Sequence, residues 1–117
     1  KKSILGICLG FQVIGSYYGG ILYNLNQVLH GKKSLITQTS LTESIYENIP
    51  KNFFVGRYHS WGIKLNDEKK LIITSRDAEG STMSFRHKSN DIIGIQYHPE
   101  SILTEHGDLI LKNWLNN

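Results

Sequence analysis

The feature that most constrains the fold of this 117-residue chain is an apolar run that ends at its single cysteine and continues into a helical pattern. Ile4, Leu5 and Ile7 precede Cys8, and glycines stand two residues before and two residues after it. A glycine-flanked residue between a strand and a helix is typical of a nucleophile elbow, a tight turn in which flanking side chains would clash. The segment therefore predicts an α/β domain with an exposed nucleophile. We expect the positive end of the following helix to favour the thiolate form.

A second apolar run, near the C-terminal end, supplies a candidate base. Residues 92–97 lead into His98, and Pro99 must end the strand because proline has no amide donor. Glu100 follows two residues after His98, close enough to orient the imidazole. Taken alone, this segment is better explained as a capped strand end with a solvated carboxylate. Together with the elbow, it predicts Cys8, His98 and Glu100 as a catalytic nucleophile, base and orienting carboxylate.

These two segments resemble the signatures of class I (triad) glutamine amidotransferases. The stretches that carry the resemblance are Gly6–Gln12 and His98–Glu100. The longer tail, Tyr97–Gly107, resembles the glutaminase subunits of anthranilate synthase and para-aminobenzoate synthase rather than the GMP, CTP or carbamoyl phosphate branches. Further agreement with that subgroup lies in residues 30–32, 57–61 and 83–87. Phe11 and Trp61 replace residues that are more common in the family, at positions outside the predicted triad.

The resemblance implies a mechanism for the triad. Cys8 attacks the side-chain amide of L-glutamine, His98 moves the thiol proton to the departing ammonia, and water then hydrolyses the thioester to glutamate. Glu100 orients His98. The backbone N–H of Leu9, which follows the nucleophile, is expected to donate to the oxyanion.

The resemblance also implies residues that bind the substrate. Gln12 and the backbone at Ser60 and Trp61 are expected to contact glutamine. The alternatives are a solvated helix residue at position 12 and an ordinary turn at 60–61, with Trp61 covering the core. We expect His59 to be a satisfied structural histidine, and residues 30–32 to be either a polar turn or a stretch near the synthase partner.

The length bounds one domain at most, residues 1–117, and the resemblance implies the class I glutamine amidotransferase-like (flavodoxin-like) fold: a mixed sheet with flanking helices. In the family such an elbow follows further strands, so we expect this chain to be the C-terminal portion of a domain whose N-terminal part is missing. Strands are predicted at 3–7, 21–25, 28–29, 35–39, 53–58, 71–75, 83–87 and 92–97. Helices are predicted at 9–18, ending at Gly19, and at 108–115, with a turn or short helix at 44–49.

Two details of the helices follow from the pattern. In the first, Leu9, Val13 and Ile14 are expected on one side. In the last, Thr104 or Glu105 is expected to cap the first amides, and one apolar face is expected to hold Ile110, Leu111, Trp114 and Leu115.

Composition excludes several other classes. The net charge of +3 comes from scattered basic residues, which argues against nucleic-acid binding. No apolar run is long enough for a membrane-spanning helix. The five histidines and single cysteine lack the paired spacing of a metal site, and one cysteine suits a reducing compartment, the cytoplasm or an organelle stroma. The resemblance implies no cofactor for the glutaminase itself and Mg²⁺ in the synthase partner.

The functional prediction is a glutaminase subunit that delivers ammonia to a chorismate-using partner, either anthranilate synthase component I or aminodeoxychorismate synthase component I. One alternative is an inactive fragment or partner-binding module of the same fold. Another is a cysteine peptidase or other hydrolase of a related fold. A Cys8→Ser change separates these hypotheses. It abolishes glutamate release if the chain is a glutaminase, leaves partner binding intact if it is a binding module, and abolishes peptide cleavage if it is a peptidase.

Overall fold

The computed structural model describes residues 2–39 and 42–116. Within these ranges the chain forms eight strands, two α-helices and a short 3₁₀ turn at Ser44–Tyr46. The strands are β1 (Ile4–Ile7), β2 (Ile21–Asn24), β3 (Lys32–Gln38), β4 (Asn52–Arg57), β5 (Trp61–Lys64), β6 (Leu71–Asp77), β7 (Thr82–His87) and β8 (Ile92–Ile95). The helices are α1 (Leu9–Tyr17) and α2 (Gly107–Leu115).

Six of these strands form one mixed sheet in the order β1-β8-β7-β6-β3-β4, and β2 and β5 form a separate antiparallel pair. The strand β1 pairs in parallel with β8, whereas the other neighbours in the large sheet are antiparallel. Helix α1 packs on β1 and β8, and α2 packs on the 3₁₀ turn. This mixed sheet with flanking helices agrees with the predicted fold class.

Two apolar clusters hold the layers together. The larger joins the sheet to α2 through Ile36, Val55, Ile93 and Ile110, all of which are buried. The smaller joins α1 to the sheet and to β5, and its centre is the stacked ring pair Phe11–Phe85, with centroids 4.6 Å apart. Among the described residues, no helix has both the length and the apolar character needed to cross a membrane.

One predicted strand is absent, and one observed strand was not predicted. Residues 28–29 form no strand, and Val28 is exposed while Leu29 is buried. The sequence pattern predicts no strand at Trp61–Lys64, which forms β5 and pairs with β2 from Ile21↔Lys64 to Asn24↔Trp61. This pairing joins residues far apart in sequence, so the local pattern around Gly62 carried no signal for it.

Both predicted helix faces also differ from the structure. In α1, Leu9 and Val13 are 70% and 61% exposed, and the buried residues are Phe11, Gln12 and Gly15. The predicted stop at Gly19 is confirmed, with a φ of 92° and an N–H that donates to the Ser16 carbonyl.

In α2, Leu115 is 71% exposed, whereas Ile110 is fully buried. The reason is Asn113, whose Nδ2 donates to the carbonyls of Ile45 and Glu47 at 2.9 Å and 3.0 Å. These bonds centre the buried face on Ile110, Asn113 and Trp114, so it turns away from Leu115.

The predicted side-chain cap of α2 is wrong as well. His106 occupies the N-cap position with a φ of 59°, and no side chain caps the helix. Glu105 instead accepts from the Phe54 N–H at 2.9 Å, and Thr104 Oγ1 accepts from the Gly56 N–H at 2.9 Å. Because β4 is an edge strand, its outward amides need partners, and the segment before α2 supplies them.

Candidate functional site

The chain turns from β1 into α1 through a strained residue. Cys8 has φ 54° and ψ −99°, a conformation that costs a non-glycine residue about 1–3 kcal/mol. Its N–H donates to the Ile95 carbonyl at 2.8 Å, which ties the turn to β8. A Cβ at Gly6 would lie 2.5 Å from Ile14 Cδ1 and 2.8 Å from the Gly10 backbone, whereas a Cβ at Gly10 would meet nothing within 4 Å. The predicted clash is therefore confirmed for Gly6 and is wrong for Gly10.

The parallel pairing of β1 with β8 brings the two predicted catalytic segments to one edge of the sheet. Ile7 lies opposite Ile95, so Cys8 and residues 96–98 leave the sheet side by side. The carboxyl ends of parallel strands are where ligands bind in α/β sheets. The structure thus brings together the elbow and the His98 segment, which the sequence separates widely.

Tyr58, which follows β4, contacts both segments. The Cys8 thiol donates to the Tyr58 carbonyl at 3.8 Å. The Tyr58 ring meets the His98 ring edge-on, with centroids 5.3 Å apart, and its hydroxyl lies 2.9 Å from Ser101 Oγ. The ends of β1, β4 and β8 therefore converge on the candidate site.

His98 forms a hydrogen bond with the residue predicted to orient it. Its Nδ1 lies 2.8 Å from Glu100 Oε2, and the Glu100 side chain is 64% exposed. In the neutral tautomer that donates from Nδ1 to this carboxylate, Nε2 keeps its lone pair and can accept a proton.

The backbone around His98 is held from two sides. Its N–H donates to the Gly56 carbonyl at 3.2 Å, and its carbonyl accepts from Thr104 Oγ1 at 2.6 Å. The preceding residue, Tyr97, is fully buried, and its hydroxyl lies 2.7 Å from the hydroxyl of Tyr46. His98 therefore stands on a fixed backbone with a ring that reaches the surface.

Burial raises the pKa of the Cys8 thiol, and the effect outweighs the hydrogen bonds from the Leu9 N–H and the Gln96 carboxamide, which lower it. The Glu100 carboxylate raises it further. The first amide of the helix does favour the thiolate, as expected, but desolvation is the larger effect. The raised pKa favours the thiol form, so attack by Cys8 calls for a base to take its proton. The Leu9 N–H, in the first turn of α1, has no partner within the helix and points to the sulfur.

Gln12 is buried, which rules out the solvated alternative. Its Nε2 donates to the Trp61 carbonyl at 2.7 Å and to Gln96 Oε1 at 3.3 Å. Both of its amide hydrogens are thus directed to protein acceptors, and a contact between Gln12 and substrate stays a prediction.

The predicted stretch at Ser60 and Trp61 is an entry to β5 rather than an ordinary turn. The Ser60 carbonyl accepts from the Leu25 N–H at 2.8 Å. The Trp61 side chain is 46% exposed, so it does not cover the core as the alternative required. Binding of glutamine by the backbone at Ser60 and Trp61 stays a prediction.

His59 has the structural role that we expected. Its Nε2 accepts from Arg57 Nε at 3.1 Å, and its Nδ1 lies 2.8 Å from the Trp61 carbonyl. Burial lowers the pKa of His59 to about 4, so the ring is neutral at pH 7. Arg57 in turn donates to Asp77 at 2.8 Å as a buried ion pair.

Sequence reasoning missed three parts of this region: Gln96, Tyr58 and the Arg57–Asp77 pair. Gln96 carried a usable signal, because it is the polar residue within the apolar run at 92–97. A polar side chain that a strand buries needs a partner. Across residues 2–39 and 42–116, no group of three His, Cys, Asp or Glu side chains is placed to hold a metal ion.

Comparison with known proteins agrees with this geometry. The model of the glutamine amidotransferase class-I family matches residues 1–117. A Haemophilus influenzae protein assigned as anthranilate synthase component II is 41% identical over 116 residues, covering 98% of this chain and 60% of the relative. Anthranilate synthase component 2 of Lactococcus lactis is 40% identical over 120 residues, covering 99% of this chain and 59% of the relative.

Solved structures show the same fold. A Thermoplasma acidophilum protein assigned as a GMP synthase component superposes with a TM-score of 0.87 at 27% identity, covering 97% of this chain and 56% of that one. A glutamine amidotransferase from Thermotoga maritima gives a TM-score of 0.70 at 18% identity, covering 96% of this chain and 44% of that one.

An elbow cysteine beside a histidine–carboxylate pair, on a mixed sheet of this topology, defines a class I amidotransferase domain. The chain belongs to the class I glutamine amidotransferase family. It spans about 60% of the length of the Haemophilus influenzae and Lactococcus lactis relatives, both of which carry the name anthranilate synthase component II or 2.

Proposed function

We propose that this chain carries the catalytic triad of a glutaminase of anthranilate synthase type. The observation that supports it is the parallel pairing of β1 with β8, which puts the strained Cys8 beside the His98–Glu100 pair at one sheet edge. The names of the relatives favour the anthranilate branch over the aminodeoxychorismate branch.

In the proposed reaction, Cys8 Sγ attacks the side-chain carbonyl carbon of L-glutamine while His98 Nε2 takes the thiol proton. The Leu9 N–H donates to the oxyanion, and Glu100 stabilises the imidazolium. When the C–N bond breaks, His98 returns the proton to the leaving nitrogen, so ammonia departs and a glutamyl thioester remains. Water then attacks the thioester, His98 carries its proton back to sulfur, and glutamate leaves.

The raised pKa of Cys8 agrees with this sequence of proton transfers. A thiol that rests protonated requires a base in the first step, and His98 is the base at this sheet edge.

We further propose that the ammonia is consumed by anthranilate synthase component I, because ammonia released into water becomes ammonium and loses its nucleophilic lone pair. The steps above require no cofactor in this chain, and the Mg²⁺ requirement is proposed for the synthase partner. A reduced compartment, the cytoplasm or an organelle stroma, would preserve the Cys8 thiol.

The test is intact mass after exposure to a glutamine-mimicking diazoketone, with and without component I, beside a Cys8→Ser variant. A single adduct on Cys8, blocked by excess glutamine, is expected. Labelling of Cys8 by a small general alkylator without any diazoketone adduct would overturn the glutaminase proposal. In that case, retained binding of component I would identify a partner-binding module, and Cys8-dependent cleavage of a peptide would identify a peptidase.

A further inference from the structure

Gln96 is a buried carboxamide that no step of the proposed reaction uses. Its side chain is 1% exposed and lies directly against the nucleophile. Its Nε2 donates to Cys8 Sγ at 3.7 Å, and its Oε1 accepts from Gln12 Nε2 at 3.3 Å. Burying a carboxamide is costly unless both ends have partners, and here both ends do.

The direction of these bonds is imposed from outside the pair. The Trp61 carbonyl can only accept, so the end of Gln12 that lies 2.7 Å from it must be the amino group. That same amino group faces Gln96 and requires the carbonyl end of Gln96. The amino end of Gln96 is therefore turned toward Cys8.

The Trp61 carbonyl is itself held by a further set of donors. Arg57 has no acceptor, so its Nε must donate to His59 Nε2. The neutral His59 ring then carries its hydrogen on Nδ1 and donates to Trp61 at 2.8 Å. Asp77 holds Arg57 in place at 2.8 Å. The Trp61 carbonyl thus accepts from two sides, from His59 and from Gln12, and it is the Gln12 side that fixes the direction of the bonds leading to the sulfur atom.

We propose that Gln96 is a positioning residue for Cys8, held as a donor to the sulfur by Gln12, whose own orientation is fixed by the Trp61 carbonyl. This inference rests on Cys8 being the nucleophile of the proposed function. The Gln96 donor stabilises the thiolate and fixes the direction of its lone pairs. It acts with the Leu9 N–H against burial and against Glu100, while the Tyr58 carbonyl also faces this sulfur.

The test is the pH dependence of Cys8 alkylation by iodoacetamide in the full chain, followed by mass spectrometry of the Cys8 peptide. Gln96→Met preserves length and removes the donor. The alkylation midpoint is the pH at which the rate of Cys8 alkylation is half of its maximum. We expect the midpoint of this variant to rise by about one pH unit. The rate at pH 7 then falls only about threefold, because a thiolate of higher pKa is intrinsically more nucleophilic.

Gln38→Met is the matched control. Gln38 also donates through Nε2 to two carbonyls, those of Ile49 and Pro50, but it lies in β3 away from Cys8. Its alkylation midpoint is expected to match the wild type. An unchanged midpoint in folded Gln96→Met, or an equal shift in Gln38→Met, overturns the proposal.

A second variant keeps the test decisive if Gln96→Met does not fold. Gln12→Met removes the donor that orients Gln96 but leaves Gln96 in place, so a smaller rise of the midpoint is expected. No rise in folded Gln12→Met overturns the proposal. With glutamine as substrate, kcat is expected to fall in Gln96→Met while KM changes less than about twofold.

The alkylation assay separates this inference from the proposed function. A shifted midpoint in a protein that never hydrolyses glutamine supports the Gln96 role and contradicts the glutaminase. Hydrolysis of glutamine with an unshifted midpoint supports the glutaminase and contradicts the role proposed for Gln96.

Discussion

At the scale of single residues, the candidate triad is unevenly protected from water. Cys8 is half-buried, whereas the Glu100 side chain is mostly exposed. An exposed carboxylate is screened by solvent, so its attraction for the imidazolium is modest. Its larger contribution is geometric, because the 2.8 Å bond to His98 Nδ1 selects the tautomer that leaves Nε2 available.

We predict that Glu100→Gln lowers kcat for glutamine hydrolysis about 10-fold to 100-fold and leaves KM nearly unchanged. The amide keeps the shape of the side chain. However, it holds the tautomer of His98 less firmly, and it does not stabilise the imidazolium. Steady-state glutamate release measures the effect. Glu47→Gln, at an exposed site, is the control and should match the wild type. Equal kcat values for the two variants would contradict the predicted role.

His59 makes stability depend on pH. Burial lowers its pKa to about 4 from the 6.5 of an unfolded chain, so the unfolded state binds a proton first as pH falls. The stabilisation is complete above pH 6.5 and is lost progressively as pH drops to 4. We predict a loss of up to about 3 kcal/mol in the free energy of unfolding over this window. Urea denaturation at pH 7, 5.5 and 4 measures it.

The comparison variant for this prediction is His59→Gln. It removes the titrating ring, so the extra loss of stability at low pH should disappear, although other groups such as His87 still titrate. If the wild type and the variant lose stability in parallel between pH 7 and pH 4, burial of neutral His59 is not the cause.

At the scale of elements, the elbow shows that two glycines with the same sequence signature have different physical roles. Gly6 lets β1 pass close beneath α1, because a side chain there would overlap Ile14 and the backbone of Gly10. Gly10 lies in the first turn of α1 with open space around its Cα. The sequence predicted both as clash-avoiding positions, since the pattern shows that glycine is present but not which side of it is crowded.

We predict that Gly6→Ala lowers the free energy of unfolding by about 2 kcal/mol through overpacking between β1 and α1. Gly10→Ala is expected to raise it by about 0.5–1 kcal/mol, because alanine is the better helix former. Chemical denaturation of both variants measures the difference. Similar losses at the two positions would show that the close approach at Gly6 is not what selects glycine.

The helices and strands that differ from prediction have a common cause. The strand β5 exists because β2 pairs with it, and the buried face of α2 is set by bonds from Asn113 to the segment at 45–47. In both cases the partner lies far along the chain. Periodicity within a short stretch of sequence shows which residues are apolar, but it carries no information about a contact with a distant segment.

At the scale of the whole molecule, contacts between distant segments hold the site together. The segment from His98 to Glu105 runs along the edge of β4, with bonds at both Phe54 and Gly56. A second connection joins the turn before the 3₁₀ helix to β7, where Arg86 Nε donates to the buried Glu43 at 2.6 Å. Glu43 also accepts from the Ile45 N–H, so one carboxylate starts the turn and anchors it to the sheet.

We predict that Arg86→Met lowers the free energy of unfolding by about 3 kcal/mol, because it leaves the Glu43 charge buried without its cation. Thermal or urea unfolding measures it. Arg76→Met on the neighbouring strand is the control, since Arg76 is exposed and makes one bond to the Gly80 carbonyl, and it should cost less than about 1 kcal/mol. A loss at Arg76 as large as at Arg86 would contradict the importance of burial.

The sequence by itself determined the local features: a strand that ends at Cys8, a helix that begins there, a strand that ends before Pro99, and a carboxylate two residues beyond His98. These depend on backbone chemistry within a few residues, which composition and spacing report directly. Only the tertiary structure decided that burial raises the pKa of Cys8, that Gln96 faces the sulfur, and that Gln12 and the Trp61 carbonyl orient it. The direction of a hydrogen bond and the cost of desolvation depend on which distant groups meet, and that is settled when the sheet assembles.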